Sequence, residues 1–131
     1  MENIKALLNK DLFAKHNGIE LVEVSVGTAK AVMTIQKEHL NGVGSVHGGA
    51  IFALADFVFA AASNSHGTIA VGINANISYV KAAFKGALTA EAKEVSINPK
   101  LATYAIQVTD DSGDLVASFQ GMVYRKKDRL Q

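Results

Sequence analysis

The chain has 131 residues, of which 49% are hydrophobic, and its 13 basic and 12 acidic side chains leave a net charge of +1. This size predicts a single domain, residues 1–131, that buries one sizeable core. The balanced charge argues against a nucleic-acid partner and against binding to an anionic membrane. Because the chain contains no cysteine, disulfides, thiolate nucleophiles and thiolate metal sites are excluded, and a cytoplasmic location is expected.

The N-terminal segment has the pattern of a helix. Residues 2–16 carry apolar side chains at near-helical spacing, and Asn17-Gly18 follow as a stop signal. This pattern predicts one short amphipathic helix. The segment also carries acidic residues and lacks the apolar centre of a signal peptide, which again favours a cytoplasmic protein.

Six segments have the pattern of strands. Residues 19–36 are rich in β-branched side chains that alternate with polar ones, and Gly27-Thr28 interrupt the alternation, which predicts a β-hairpin. Four further strands are predicted after Gly67, separated by turn residues. They cover residues 68–79, 87–97, 101–109 and 115–125.

An almost wholly apolar run lies between these two groups of strands. Its length, its alanine content and its lack of proline predict a helix from Gly48 to about His66. Because this helix is apolar all round, we expect other structure to enclose it. The run is shorter than the roughly 20 residues that a membrane span needs. We therefore expect an α+β fold, with an antiparallel sheet of about six strands wrapped around one long central helix, plus a short N-terminal helix.

One carboxylate, Asp56, lies in the middle of the apolar run. Burying an unpaired carboxylate is costly, so Asp56 is expected either to be paired or to perform chemistry. The glycines at the helix start favour chemistry, since the Gly48 end presents unpaired N–H groups to a carbonyl or an oxyanion. Asp56 lies about 12 Å further along the axis. Two antiparallel helices crossing near Phe52 would bring the two groups together, which predicts an obligate dimer with two composite sites.

This region resembles a known family. Asn41, His47, Gly48-Gly49 and Leu54-Ala55-Asp56 have the order and spacing of the hotdog-fold acyl-CoA thioesterases of the phenylacetate-degradation (PaaI) type. The similarity continues through residues 71–79 to the last strand, and so covers essentially the whole chain.

The resemblance implies a role for each catalytic candidate. The Gly48 N–H would polarise the thioester carbonyl, and the partner subunit's Asp56 would act as nucleophile or general base. Asn41 would orient the thioester or a water molecule, and His47 would brace the loop at the helix start. Each has an ordinary structural alternative: a hydrogen-bonded acid at a subunit contact for Asp56, a helix-start contact for His47, and turn formation for Asn41.

Five further residues are candidates for substrate binding: Gly49, Phe52, Ser63, Gly72 and Lys81. Phe52 would touch the acyl group, Ser63 would line the far wall of the pocket, and Lys81 would meet the phosphates of coenzyme A. The structural alternatives are core packing for Phe52, a polar helix end for Ser63 and a solvated side chain for Lys81. Some relatives carry serine at the position of Gly72 to place the attacking water, so that role must fall here to another residue or to solvent.

The expected function is therefore hydrolysis of a medium-chain or aromatic acyl-CoA to the free acid and coenzyme A, by a homodimer or homotetramer. Neither a metal nor a cofactor is expected, because the four histidines have no paired spacing on one helix face. Two alternatives stay open. One is a hotdog module that binds acyl-CoA without hydrolysing it, and the other is a hotdog dehydratase or hydratase that uses His47 and Asp56 across the dimer.

Overall fold

The computed structural model describes residues 1–131 and contains one antiparallel sheet of six strands, as predicted. The strands are β1 (Ile19–Ser25), β2 (Thr28–Thr34), β3 (Thr68–Tyr79), β4 (Ala87–Ile97), β5 (Leu101–Thr109) and β6 (Leu115–Arg129). Their order in the sheet is β1-β2-β4-β5-β6-β3, and every neighbouring pair is antiparallel. The last strand continues four residues beyond its predicted end at Arg125.

The long central helix, α3 (Gly48–Asn64), begins at the predicted residue and ends shortly before His66. The predicted N-terminal helical segment is confirmed, but it is divided into two short helices, α1 (Glu2–Asn9) and α2 (Leu12–His16). They are separated at Asp11, whose backbone is extended and whose carboxylate accepts a hydrogen bond from the Ala14 N–H at 2.9 Å. Capping by Asp11 starts a new helix where apolar periodicity alone suggests continuity.

Small side chains allow the sheet to curl around α3. Ala31 of β2 and Ala90 of β4 are paired across the two strands, and both are completely buried. With no side chain beyond the Cβ atom, they let the strand backbones approach the helix closely. The next inward-facing pair, Met33 and Leu88, is also completely buried and fills the wider space beyond.

The C-terminal end of α3 is tied to the sheet by polar contacts. The Ser65 hydroxyl accepts a hydrogen bond from the Gly27 N–H at 2.7 Å, in the turn between β1 and β2. His66 Nε2 lies 2.6 Å from Glu94 Oε1, and the same carboxylate oxygen accepts from the Tyr104 hydroxyl at 2.7 Å. These contacts fix the helix axis relative to β4 and β5.

One stripe of α3 stays open to solvent. Counted from Gly49, its other residues lie three, four, seven and eleven positions further along, as the outer face of a helix requires: Gly49, Phe52, Ala53, Asp56 and Ala60. The expectation that other structure encloses this helix all round is therefore wrong for the single protomer. No helix of the protein has the length and apolar character needed to cross a bilayer.

β3 forms an edge of the sheet that is unusually well suited to further pairing. It is 12 residues long, pairs only with β6, and contains neither a charged residue nor a proline. Edge strands normally carry such residues, or are short, because their free backbone groups would otherwise pair with another chain. Beyond a bulge between Gly72 and Asn74, its register with β6 is regular up to Tyr79. The backbone of β3 is thus available to another strand.

Candidate active site

The start of α3 presents one free backbone donor. The His47 side chain caps the helix, since its Nδ1 accepts a hydrogen bond from the Gly49 N–H at 2.8 Å. The His47 carbonyl accepts from the N–H groups of Ala50 and Ile51. The Gly48 N–H has no acceptor, and it lies at the positive end of the helix dipole. It is the donor that is expected, from the sequence, to polarise the thioester carbonyl.

Close contacts leave little room for a side chain at either glycine of the helix start. A Cβ atom on Gly48 would lie 3.1 Å from Cζ of Tyr79, and one on Gly49 would lie 2.9 Å from Nδ1 of His47. A side chain at either position would force the tyrosine ring or the capping histidine to shift. The need for glycine here is therefore steric, and not a need for unusual backbone angles, because neither residue has a positive φ.

Asp56 projects from the open stripe of α3 into a cleft of about 260 Å³. The cleft is lined by residues of the N-terminal helices and of α3: Asp11, Phe13, Ala14, Gly49, Phe52, Ala53, Asp56, Phe57 and Ala60. The Asp56 side chain is exposed in the protomer, and not buried as its apolar neighbours in the sequence suggest. No protein group donates a hydrogen bond to it, so a substrate or a water molecule is free to use the carboxylate.

The surroundings of Asp56 make its carboxyl group a stronger base. Although Asp56 is open to solvent, the apolar side chains around it partly shield its carboxyl group from water, which raises the pKa of Asp56 above its ordinary value of 3.8, and the negative charge of Asp11 raises it further. Phe52, on the same stripe, packs edge-on against Phe119 with ring centroids 5.3 Å apart. The cleft therefore combines an unpartnered carboxylate with a rigid aromatic wall.

Asn41 organises the loop that leads to α3. Its Oδ1 accepts hydrogen bonds from the N–H groups of Val43 and Ser45, at 3.0 and 3.2 Å, and its Nδ2 donates to the Ser45 hydroxyl at 3.0 Å. A bridge between Leu40 and Val46 closes this loop at its base. The observed contacts of the Asn41 amide are thus those of turn formation, and one N–H of the amide stays free.

Three of the sequence-predicted substrate residues do not reach the cleft. Ser63 is buried, and its hydroxyl donates to the Ala60 carbonyl at 3.3 Å within the helix. Gly72 lies on β3, where a Cβ atom would come within 3.1 Å of the Phe59 ring. Lys81 donates to both Asp110 and Asp114 at 2.7 Å, and these hydrogen bonds raise its pKa. Its charge is already neutralised, which leaves little attraction for a phosphate.

Sequence reasoning missed three residues of this region. Asp11 and Phe13 enter the cleft from the N-terminal helices, and Tyr79 reaches the helix start from β3. An aspartate followed by an apolar segment is a recognised helix-start signal, so the capping position of Asp11 was detectable. The position of Tyr79 was not, because its contact joins two distant parts of the chain.

Comparisons with known proteins agree on one family. A family model described as Thioesterase superfamily matches residues 43–117. A putative esterase of Archaeoglobus fulgidus is 49% identical over 106 residues, which cover 80% of this chain and 69% of the relative. The acyl-coenzyme A thioesterase PaaI of Escherichia coli is 35% identical over 125 residues, covering 95% of this chain and 89% of the relative.

A solved structure extends the agreement to three dimensions. The E. coli PaaI protein from the phenylacetic acid degradation operon matches with a TM-score of 0.95 at 34% identity, covering 99% of this chain and 95% of that one. The match includes the central helix and all six strands, so the expected hotdog fold is confirmed. The chain belongs to the thioesterase superfamily, as a hotdog-fold thioester hydrolase of the PaaI type.

Proposed function

We propose that the protein hydrolyses a medium-chain or aromatic acyl-CoA to the free acid and coenzyme A, in an active site shared by two copies of the chain. The observation that carries this proposal is Asp56, a carboxylate without a protein partner in an otherwise largely apolar cleft. A similar protein from E. coli is named an acyl-coenzyme A thioesterase, which supports the same substrate class.

In the proposed reaction, the Gly48 N–H donates a hydrogen bond to the thioester carbonyl and makes its carbon more electrophilic. Asp56 then takes a proton from a water molecule, and the resulting hydroxide adds to that carbon. The oxyanion stays bound to the Gly48 N–H until the C–S bond breaks and the coenzyme A thiolate leaves. The thiolate then recovers the proton from Asp56, which restores the carboxylate. Direct attack by Asp56, followed by hydrolysis of the anhydride, uses the same groups.

The two groups belong to different copies of the chain in this proposal. Gly48 and Asp56 are eight residues apart on one straight helix, or about 12 Å along its axis, which is too far for both to reach one carbonyl. Pairing of two β3 edges around a two-fold axis would cover the free backbone of each strand. The open stripe of α3 would then face the boundary between subunits. We propose a homodimer as the minimum assembly, and a homotetramer of two such dimers as the resemblance implies.

The cleft supports an aromatic or medium-length acyl group. Phe13, Phe52 and Phe57 contribute aromatic walls, and its size suits one ring or a short aliphatic chain. A solved structure that is similar to this one over nearly the whole chain is described as a protein from a phenylacetic acid degradation operon. A phenylacetyl thioester would place its ring between such side chains.

Thiol release from a panel of acyl-CoAs tests the proposal. The protein contains no cysteine, so a colorimetric thiol reagent detects only released coenzyme A. We expect Asp56→Asn to lower turnover by several orders of magnitude while binding is retained, and Asp128→Asn, at the exposed end of β6, to behave as wild type. Turnover near the wild-type value in Asp56→Asn would contradict the proposal. Binding without release would favour a binding module, and hydration of an enoyl-CoA would favour a hydratase.

A further inference from the structure

The peptide between Gly48 and Gly49 is held at both of its polar atoms. Its carbonyl oxygen, which belongs to Gly48, accepts a hydrogen bond from the Tyr79 hydroxyl at 3.0 Å. Its N–H, which belongs to Gly49, donates to Nδ1 of His47 at 2.8 Å. Tyr79 lies at the end of β3 and His47 lies in the loop before α3. Two separate parts of the fold therefore fix the plane of this one peptide.

The preceding peptide, between His47 and Gly48, carries the free donor. Its carbonyl accepts from the Ala50 N–H at 2.9 Å and from the Ile51 N–H at 3.3 Å. Among the first four N–H groups of the helix, only that of Gly48 has no acceptor. The two peptide planes meet at the Gly48 α-carbon, so holding one of them restricts the other.

Such a restraint is needed because both residues are glycines. Without side chains, they have more backbone freedom than any other pair of residues, and a helix start built from them is prone to fray. The Tyr79 ring also packs against Gly48, with Cζ 3.1 Å from the position of a Cβ atom. The tyrosine thus restrains Gly48 by contact and by hydrogen bonding.

We propose that Tyr79 is a positioning residue for the active site, whose hydroxyl holds the Gly48–Gly49 peptide so that the Gly48 N–H points at the thioester carbonyl. This inference rests on the proposed function and adds to it a residue of the edge strand β3. Because β3 is also the proposed dimer edge, Tyr79 connects the orientation of the Gly48 N–H to the subunit interface.

The test compares Tyr79→Phe with Tyr124→Phe. The first variant keeps the ring and removes the hydroxyl that binds Gly48, whereas the second removes the hydroxyl of an exposed tyrosine on the neighbouring strand β6. For Tyr79→Phe we expect kcat to fall on the order of ten- to a hundredfold, because a misdirected donor stabilises the transition state poorly. KM should stay within about twofold, as expected for an interaction that is much stronger with the oxyanion of the transition state than with the carbonyl of the bound substrate. Tyr124→Phe should match wild type.

An NMR measurement tests the same contact without catalysis. Loss of the hydrogen bond to the Gly48 carbonyl should shift the backbone amide resonance of Gly49 in Tyr79→Phe, and not in Tyr124→Phe. An unchanged Gly49 resonance would overturn the inference. So would an unchanged kcat, or a rise in KM alone, in an enzyme whose hydrolysis requires Asp56. If the wild type hydrolyses no acyl-CoA, the proposed function fails, while a shifted Gly49 resonance still supports the restraint by Tyr79.

Discussion

Asp11 and Asp56 belong to different helices and line the same cleft, where the charge of Asp11 adds to the effect of burial on the pKa of Asp56. Asp11 also caps α2 through its hydrogen bond with the Ala14 N–H. The capping residue of a short N-terminal helix therefore makes the candidate catalytic base stronger. Asp11→Asn therefore removes the charge and keeps the helix cap, because asparagine caps helices as well as aspartate does.

We predict that Asp11→Asn shifts the acidic limb of the pH profile of kcat/KM to lower pH. That limb reports the base of the free enzyme, and removing the Asp11 charge lowers the pKa of Asp56. No basic residue lines their cleft. The titratable groups lining the adjoining clefts, which the substitution leaves in place, are Lys5, Lys15, Glu20, Glu23, Glu38, His39 and His47.

The control for this prediction is Glu2→Gln, which removes the same charge from the N-terminal helices at a position outside the cleft. Its pH profile should overlay that of wild type. The measurement is kcat/KM across the acidic range with one acyl-CoA. Identical acidic limbs for Asp11→Asn and wild type would show that Asp11 does not influence the base.

A second prediction concerns stability. Because folding raises the pKa of Asp56 above its ordinary value of 3.8, folding disfavours the charged form of this group. Below pH 3.8 the group is protonated in the folded and in the unfolded protein, so it does not lower the free energy of unfolding. The loss of stability appears as the pH rises through the folded-state pKa. Asp56→Asn should therefore have a higher Tm than wild type near neutral pH, and the difference should close in acid.

Thermal unfolding at several pH values measures this difference, with Asp128→Asn as the control. A stability gain combined with a loss of turnover is the pattern of a residue kept for function at the expense of the fold. A neutral-pH Tm of Asp56→Asn below that of wild type would indicate that the carboxylate is instead a structural partner.

Phe13 should contribute to acyl preference. Its side chain is 68% exposed in the protomer, yet its ring lines the cleft that holds Asp56. Truncation in Phe13→Ala should lower kcat/KM for an aromatic acyl-CoA about tenfold, the scale expected for loss of an apolar contact in a binding pocket. Acetyl-CoA, which is too short to reach the ring, should be affected much less.

Leu12→Ala is the matched control for Phe13→Ala. Leu12 is adjacent in α2 and is 76% exposed, but it does not line the cleft. Equal losses for the two substitutions would indicate a general effect on the N-terminal helices. Equal losses of Phe13→Ala on aromatic and acetyl substrates would likewise show that Phe13 does not contact the acyl group.

The regular elements were predictable because their patterns are local. Alternation of apolar and polar residues predicts the strands, and the length and alanine content of the apolar run after Gly48 predict a helix. The apolar pattern does not show the break at Asp11, because apolar spacing continues across it while the Asp11 side chain caps a new helix. The exposure of Asp56 also differed from expectation, since one-dimensional periodicity does not show which face of an apolar helix the sheet leaves uncovered.

In the candidate site, too, residues that are close in sequence were predictable, and contacts between distant parts of the chain were not. Asn41, His47, Gly48 and Asp56 lie within one short stretch of sequence, so their order alone suggested a site. Tyr79 reaches this stretch only because β3 and α3 are neighbours in the folded chain. The ion pairs of Lys81 with Asp110 and Asp114 likewise depend on how the sheet brings separate loops together.

Subunit complementation provides the sharpest test of a composite site. A chain carrying Asp56→Asn keeps its helix start, and a chain carrying Gly48→Val keeps its carboxylate while its added side chain collides with Tyr79. Each variant alone should keep only a small fraction of the wild-type activity. In a mixed dimer, one site combines the intact Gly48 end with the intact Asp56 of the other chain, and the second site carries both defects.

After co-expression or refolding of an equal mixture, about half of the dimers are mixed, and each has one working site of two. The mixture should therefore recover about a quarter of the wild-type activity by the same counting, measured by thiol release. Mixing either variant with itself under the same conditions is the control. If each chain instead contained a complete site, every chain in the mixture would carry a defect, and no activity would return.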